Sequence, residues 1–183
     1  MEYEWGNGGR VTFHCLIKSW EDTKKEKEFN MKKTLQISFA IVVVDQFIKF
    51  LARMFLMGQE IVVIPKFFSL LYTLNPGAAW SLFSGNRIFL ILITFLFLGF
   101  LYFFFLKDQH LKIVEKVGIG FLIGGILGNL VDRIFFGYVI DYLSFTFFNY
   151  SFPIFNFADT CIVGSIFFLI FVSVSEVIPW KLK

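Results

Sequence analysis

The sequence predicts an α-helical integral membrane protein with four transmembrane helices. Hydrophobic residues make up 57% of the chain and charged residues only 17%, whereas a soluble domain is usually about a quarter charged. The apolar residues form continuous runs and do not alternate, which favours membrane-spanning helices. Lysines cluster between and beside these runs, as expected for segments that stay in the cytoplasm.

The four predicted spans differ in how clearly the sequence marks them. The second, 88–106, carries no charge over a length that crosses a bilayer core, which requires about 20 helical residues. The first, 34–56, is apolar until Asp45 and Lys49 interrupt it. The third predicted span is 117–131. The fourth is 160–174, and apolar residues extend it at both ends, over 155–158 and 175–178.

The distribution of positive charge predicts the orientation. Segments 57–87 and 137–154 carry only Lys66 and Arg87, with Arg53 at a helix end. The lysines before the first span, between the second and third, and after the fourth are Lys32, Lys33, Lys107, Lys112, Lys116, Lys181 and Lys183. Both termini are therefore predicted to be cytoplasmic, with the two longer loops outside.

The chain divides into two predicted regions. Residues 1–30 form a charged extension without apolar periodicity, which we expect to be disordered or non-native, and 31–183 form the membrane domain. Cys15 and Cys161 are too far apart in sequence and expected depth to predict a disulfide.

Polar residues from separate segments fall at one predicted depth, in the outer half of the membrane. Ionisable residues there are costly and usually face a protein interior, a cavity or a reaction site. Asp141 is expected in the outer loop or at the interface, and Asp159 in the first turns of the fourth helix. The remaining members of this set are Asp45, Gln46, Lys49, Asn75, Asn129, Asp132, Arg133 and Asn156.

Most of these residues have a structural interpretation. Asp45 and Lys49 are four apart on one helix face and favour an ion pair. Asp132 and Arg133 are adjacent, so each is expected to pair with another segment. Asn75 precedes Pro76 and Gly77 in a turn pattern. The small-residue face predicted to pack against other helices consists of Gly124, Gly125 and Gly128.

Asp141 and Asp159 fit a structural role least well, because neither has a basic neighbour in sequence. Two carboxylates close together in a partly dry site cannot both ionise easily, so one retains a proton. This arrangement suits an aspartic peptidase, in which one group activates water and the other protonates the carbonyl. A helix N-terminus favours an anion at Asp159 and points to it as the more acidic partner, but the sequence leaves open which aspartate carries the proton.

Several other kinds of catalytic or binding site require residues that this sequence does not place near the two aspartates. The only histidines, His14 and His110, lie in the extension and the inner loop, which disfavours a Ser–His triad and a histidine zinc site. No glycine-rich phosphate loop is present. The net charge of +3 gives no indication of nucleic-acid binding. The sequence spacing permits a catalytic Ser–Lys pair, such as Ser81 with Lys66, but no specific feature supports one.

Four blocks of the sequence together resemble the lipoprotein signal peptidases, also called signal peptidase II, an aspartic peptidase family. The likeness covers the chain from about Met31 to the last helix. Three departures stand near the site: Trp80 and Tyr142 where Phe is frequent, and Ile48 where Thr is frequent. The blocks are VDQFIK (44–49), NPGAAWS (75–81), GNLVDRIFFGYVIDYL (128–143) and FNFAD (155–159).

The resemblance implies removal of signal peptides from diacylglyceryl-modified prolipoproteins in the bacterial cytoplasmic membrane, before the lipidated cysteine. It implies a catalytic dyad of Asp141 and Asp159, a monomer bound to membrane lipid, and neither metal nor cofactor. It also implies a small extracytoplasmic β-cradle, to which 61–64 and 67–74 are suited. The positions that match the family's site or its support are Asp45, Lys49, Asn75, Gly125, Asn129, Asp132, Arg133 and Asn156.

Two alternatives come from other classes. A small proton-coupled transporter would use Asp45, Asp132 and Asp159 as a relay, although such sites usually lie near the midplane between internal repeats, which this sequence lacks. A catalytically inactive membrane scaffold would not require the two aspartates.

Overall fold

The computed structural model describes residues 2–5, 9–77, 82–106, 111–148 and 150–177, and side chains from residue 31 onward. Trp80, Ser81 and His110, which entered the sequence analysis, lie outside the described residues, as do the lysines at 107, 181 and 183. The chain begins with two antiparallel strands, β1 (Glu2–Trp5) and β2 (Gly9–Thr12).

Four long helices follow, and each contains one of the predicted spans. They are α1 (Phe13–Leu56), α2 (Arg87–Leu101), which continues as a π-helical segment (Tyr102–Leu106), α3 (Ile113–Phe135) and α4 (Phe157–Val177). Within them, four stretches are long and apolar enough to cross a membrane: Met31–Leu56, Arg87–Leu106, Ile113–Phe135 and Phe157–Ser175. The prediction of four membrane-spanning helices is confirmed.

Helix α3 extends beyond its predicted limits of 117–131 at both ends. At its start, the Glu115 carboxylate accepts the backbone N–H of Lys112 at 2.7 Å, a capping interaction that begins the helix within the lysine-rich segment. At its end, Gly137 adopts a left-handed conformation (φ +86°) and its N–H donates to Asp132 O. Glycine tolerates this conformation without steric cost, so the chain leaves the helix and enters a strand.

Helix α3 is the central helix of the bundle. In its most apolar window 61% of residues are buried, compared with 11–28% in the other three spans. The predicted glycine face is the reason that its neighbours approach closely. A methyl group on Gly124 would lie 2.6 Å from Ile41 Cβ of α1, and one on Gly125 would lie 2.5 Å from the Ala158 carbonyl oxygen of α4.

At one end of the bundle lies a four-stranded antiparallel sheet in the order β3–β4–β5–β6. Strands β3 (Glu60–Ile64) and β4 (Phe68–Asn75) confirm the predicted cradle at 61–64 and 67–74. Strands β5 (Val139–Phe147) and β6 (Tyr150–Ser151) complete it. Asp141 therefore lies on a strand, opposite Thr73 of β4, and its expected placement in a loop was wrong.

Candidate active site

A cavity of about 910 Å³ opens between the sheet and the ends of α3 and α4. Polar residues line one side of it, and apolar residues of the β6 region and of α4 line the other. Among the polar side chains that the sequence analysis singled out, those in the cavity wall are Asn75, Asn129, Arg133, Asp141 and Asp159. The structure thus brings the two aspartates to one cavity from two different elements.

Asp141 enters the cavity from β5 and is 3% exposed. Its Oδ2 accepts a hydrogen bond from Asn75 Nδ2 at 3.0 Å, and its Oδ1 accepts one from Asn156 Nδ2 at 2.7 Å. Burial, followed by repulsion from the Asp159 carboxylate, raises the pKa of Asp141 to about 7. The two amide donors oppose this rise, so desolvation dominates the protonation state of this carboxyl.

Asn75 reaches Asp141 because its side chain also organises the turn after β4. Its Oδ1 accepts the backbone N–H of Gly77 at 3.0 Å, which is the Asx-type turn that the Asn-Pro-Gly sequence predicts. Its Nδ2 remains directed at Asp141. Asn75 therefore acts both in the turn and as a donor to the carboxylate.

Asp159 lies in the first turn of α4, where it forms a reciprocal cap with the residue that precedes the helix. Asn156 Oδ1 accepts the backbone N–H of Asp159 at 2.9 Å, and Asp159 Oδ2 accepts the backbone N–H of Asn156 at 3.1 Å. Asp159 Oδ1 also accepts a hydrogen bond from Asn129 Nδ2 at 2.7 Å. Both carboxylate oxygens of Asp159 therefore accept hydrogen bonds, which fix this side chain at the start of α4.

The other free N–H groups at the start of α4 are also satisfied by side chains. Phe157 N–H donates to Tyr142 Oη at 3.1 Å, and Ala158 N–H donates to Asp45 Oδ1 at 3.0 Å. Unpaired donors at a buried helix end are costly, so these contacts fix where the helix begins. They consequently fix the position of Asp159.

Behind the cavity wall lies a buried ion cluster. Lys49 Nζ is 2.8 Å from Asp45 Oδ2 and 2.9 Å from Asp132 Oδ2, and all three side chains are at most 1% exposed. Lys49 Nζ also donates to Asn129 Oδ1 at 3.0 Å. The predicted Asp45–Lys49 pair is confirmed, and Asp132 extends it from α1 to α3.

Asp132 also positions the strand that holds Asp141. Its Oδ2 accepts the backbone N–H of Ile140 at 3.1 Å, and its Oδ1 accepts a hydrogen bond from Gln46 Nε2 at 2.9 Å. Ile140 immediately precedes Asp141 on β5. Asp132 therefore supports the site by connecting the ion cluster to the backbone next to Asp141.

Arg133 turns away from its neighbour Asp132, as predicted, and lines the cavity. Its Nη2 donates to the Gly77 carbonyl at 3.1 Å. Its buried Nε has no hydrogen-bond partner within the described residues. The guanidinium brings positive charge to a cavity that contains two carboxyl groups.

Asn129 and Asn156 join the ion cluster to the two aspartates. Asn156 Nδ2 donates to Asn129 Oδ1 at 3.1 Å as well as to Asp141, and Asn156 is fully buried. Gly125 lies where α3 packs against α4 and is not part of the cavity lining. Within the described residues, no group of three or more His, Cys, Asp or Glu side chains is arranged to hold a metal ion.

Sequence reasoning missed three contributors to the site. Gln46 was noted as polar but given no partner, although it contacts Asp132 and the Gly128 carbonyl. Tyr142 was noted only as a departure, and its bond to α4 depends on a fold that local sequence does not reveal. The cavity lining from Tyr150 to Phe155 was also missed. The sequence offered one indication of it, since no charged residue occurs between Asp141 and Asp159.

The fold and the site define a class: a multi-pass membrane protein whose four helices support a pair of carboxyl groups in one cavity beneath a small sheet. The comparisons with known proteins identify the family. The family model described as signal peptidase (SPase) II matches residues 37–175, and the chain belongs to this family. This membership gives no support to the transporter alternative.

Curated relatives and solved structures agree with the family assignment. The lipoprotein signal peptidase of Staphylococcus carnosus (strain TM300) is 37% identical over 147 residues, which cover 79% of this chain and 92% of that protein. The lipoprotein signal peptidase of Staphylococcus aureus (strain JH9) is 35% identical over 145 residues, covering 79% and 89%. A solved bacterial membrane enzyme aligns with a TM-score of 0.70 at 34% identity, covering 83% of this chain and 93% of that one.

Proposed function

We propose that the protein is an aspartic endopeptidase that removes signal peptides from diacylglyceryl-modified bacterial prolipoproteins, cutting before the lipidated cysteine. The observation that supports this most strongly is the geometry of the two aspartates. Asp141 and Asp159 line one cavity, come from different elements, and are both hydrogen-bonded to Asn156. The family and its curated relatives supply the substrate class.

The different environments of the two carboxyl groups support different roles. Asp141, with its pKa raised to about 7 by burial and by Asp159, holds the proton. Asp159, whose two oxygens both accept hydrogen bonds at the start of α4, acts as the base that activates water. A pair of this kind shares one proton across a bound water, as aspartic peptidases require.

The reaction then proceeds in two stages, the addition of water and the breakage of the C–N bond, and each stage includes two proton transfers. Asp159 takes a proton from water as its oxygen attacks the scissile carbonyl, while Asp141 protonates the carbonyl oxygen. In the tetrahedral intermediate, Asp141 regains a proton from a hydroxyl and Asp159 gives its proton to the departing amine of the cysteine. The C–N bond breaks, and the dyad returns to its starting state. No step requires a metal ion or a cofactor.

Asn75 and Asn156 hold Asp141 at two oxygens, and Asn129 holds Asp159 at one. Fixed donors reduce the reorganisation that the carboxyl groups must undergo during the reaction. Arg133 adds positive charge in the cavity, where negative charge develops on the carbonyl oxygen.

The cavity also suits a lipid-anchored substrate. Its lining includes Val163 and Gly164, which lie two turns into α4 and within the membrane span, as well as Ile154 and Phe155 before that helix. The peptide would cross the cavity beside the two aspartates while the acyl chains rest in lipid against the helices. Anchoring the substrate in this way localises the scissile bond and lowers the entropic cost of reaction.

The orientation follows from the lysine distribution. Both termini face the cytoplasm, and the sheet and the cavity face outward in the bacterial cytoplasmic membrane. Both aspartates lie on one chain and bond to each other's neighbours within it, so we propose that a monomer is sufficient for cleavage.

A cleavage assay with purified protein tests this proposal. The protein in lipid is given one prolipoprotein in diacylglyceryl-modified form and in unmodified form, and product is separated by electrophoresis. Cleavage of the modified form only, with a product that mass spectrometry shows to begin at the lipidated cysteine, is expected. An uncut modified substrate, under conditions in which the S. carnosus relative cuts it, would refute the proposal.

A further inference from the structure

Strand β5 presents two neighbouring side chains to opposite sides, because successive strand residues alternate. Asp141 lies in the cavity, while Tyr142 packs on the other side against Ala52, Leu56 and Ile140 and is 5% exposed. The tyrosine ring is thus held by apolar contacts to α1 and to the sheet. Its hydroxyl reaches the start of α4.

That contact falls at the first N–H of α4. Phe157 N–H donates to Tyr142 Oη at 3.1 Å, two residues before Asp159. The preceding chain is already paired with β5, since Leu143 N–H donates to Phe155 O at 2.8 Å and Phe155 N–H donates to Leu143 O at 3.1 Å. The Tyr142 hydroxyl therefore extends a fixed connection from β5 across Asn156 and onto the helix.

We propose that Tyr142 is a positioning residue, which sets the placement of Asp159 relative to Asp141 by anchoring the start of α4 to strand β5. This proposal rests on the proposed function of the two aspartates.

The connection is rigid at both ends. Asp132 holds β5 through the N–H of Ile140, and Asn156 and Asp159 cap α4 through reciprocal bonds. Without the hydroxyl, the partly buried Phe157 N–H loses its acceptor, and donors shielded from water are rarely left unpaired. The first turn of α4 would shift or rotate to find another partner, and Asp159 would move with it.

A displacement of Asp159 has a consequence that a general loss of stability does not. The groups that face Asp141 are Asn75 on β4, Asn156 before α4, Asp159 on α4, Lys49 on α1 and Arg133 on α3. Only Asp159 and Asn156 belong to the segment that Tyr142 anchors. Repulsion from Asp159 favours the proton on Asp141, so moving Asp159 away lowers the pKa of Asp141. Burial raises the pKa of Tyr142 itself, so the tyrosine stays neutral over the pH range in which Asp141 titrates.

The test compares Tyr142→Phe with Tyr72→Phe, which removes a hydroxyl from the same apolar cluster and leaves the bond to α4 intact. For Tyr142→Phe we expect kcat to fall by about tenfold to a hundredfold, the loss that misplacement by an ångström produces, with KM nearly unchanged. The alkaline pKa of the pH–rate profile should also fall. Tyr72→Phe should match the parent protein in all three quantities.

The protonation of Asp141 is measured separately by infrared spectroscopy, as the titration of the carboxyl band that Asp141→Asn removes. This readout needs no turnover. If the parent protein failed to cleave substrate, the proposed function would fail, while the infrared midpoints of the parent and Tyr142→Phe would still test the positioning role. Equal midpoints and equal kcat in the parent and Tyr142→Phe would overturn it.

A second pair of variants breaks the same bond from its donor side. Phe157→Pro removes the N–H at the first helical position, where proline is tolerated, and Phe157→Ala keeps the N–H while removing the ring. A lower infrared midpoint in Phe157→Pro than in Phe157→Ala supports the anchor even if Tyr142→Phe does not fold. Identical midpoints in the two variants contradict it.

Discussion

The side-chain amide of Asn156 donates to Asp141 Oδ1 at 2.7 Å, and this contact connects the two candidate catalytic residues. The same residue caps α4 and receives the reciprocal cap from Asp159. One buried asparagine thus fixes a carboxyl on a strand relative to a carboxyl on a helix. Since Asn156 donates to both groups, it also partly offsets their mutual repulsion.

The pH dependence of cleavage should follow the protonation of Asp141. Its pKa is raised to about 7, chiefly by burial and then by Asp159, and the reaction requires its protonated form. We expect kcat/KM to fall about tenfold per pH unit above this value. The measurement is a pH–rate profile at low substrate concentration. An activity that rises through pH 7 would assign the proton to a different group.

The same pKa shift predicts how stability depends on pH. An unfolded chain releases this proton near the ordinary value of 3.8, whereas the folded protein retains it to about 7. The folded state therefore binds more protons between these values, and its stability declines as the pH rises through that window. Asp141→Asn, which stays neutral, should melt at a higher temperature than the parent protein at pH 8, with less difference at pH 4. A lower melting temperature at pH 8 would contradict the assignment.

Lys49 should be essential to folding. Lys49→Met leaves Asp45 and Asp132 buried together without the cation that both contact, a change that typically costs about 3–5 kcal/mol. We expect a large loss of melting temperature and of folded protein in detergent. Lys66→Met, at an exposed position in the β3–β4 turn, is the control and should change little. Normal stability of Lys49→Met would show that the cluster is not needed.

Gly128 should tolerate no side chain, because a methyl group there would lie 2.6 Å from Asp45 Oδ2. Overpacking of this kind usually costs about 1–3 kcal/mol. Gly128→Ala should therefore lower both the melting temperature and the cleavage rate. Gly99→Ala is the matched control, since a methyl group at that position meets no atom within 4 Å. Equal effects of the two substitutions would mean that the helices separate at little cost.

The features that sequence predicted are those governed by local pattern. Apolar run lengths gave the four spans, and the four-residue spacing of Asp45 and Lys49 gave their ion pair. The cradle strand at 61–64 was expected from the family resemblance, and its β-branched residues suit that strand. In each case the physical cause lies within a few residues of the effect.

The features that sequence missed depend on contacts between distant segments. Strand β5 was not recognised because its residues 139–142 are all buried, so the alternation that marks a half-exposed strand is absent. The bond from Asp132 to the Ile140 N–H and the bond from Phe157 N–H to Tyr142 both require that strand. Local sequence could not predict them before the fold was known.

Single substitutions of the two aspartates test the central claim most directly. Asp141→Asn and Asp159→Asn keep the shape of each side chain while removing its acid–base function, and Glu60→Gln, on the exposed edge strand β3, makes the same chemical change away from the site. With a diacylglyceryl-modified prolipoprotein as substrate, we expect each of the first two variants to lose turnover by at least roughly a thousandfold. Both should remain folded, and Glu60→Gln should cleave at the parent rate. Turnover by folded Asp141→Asn or Asp159→Asn at more than about a tenth of the parent rate would contradict the proposed dyad.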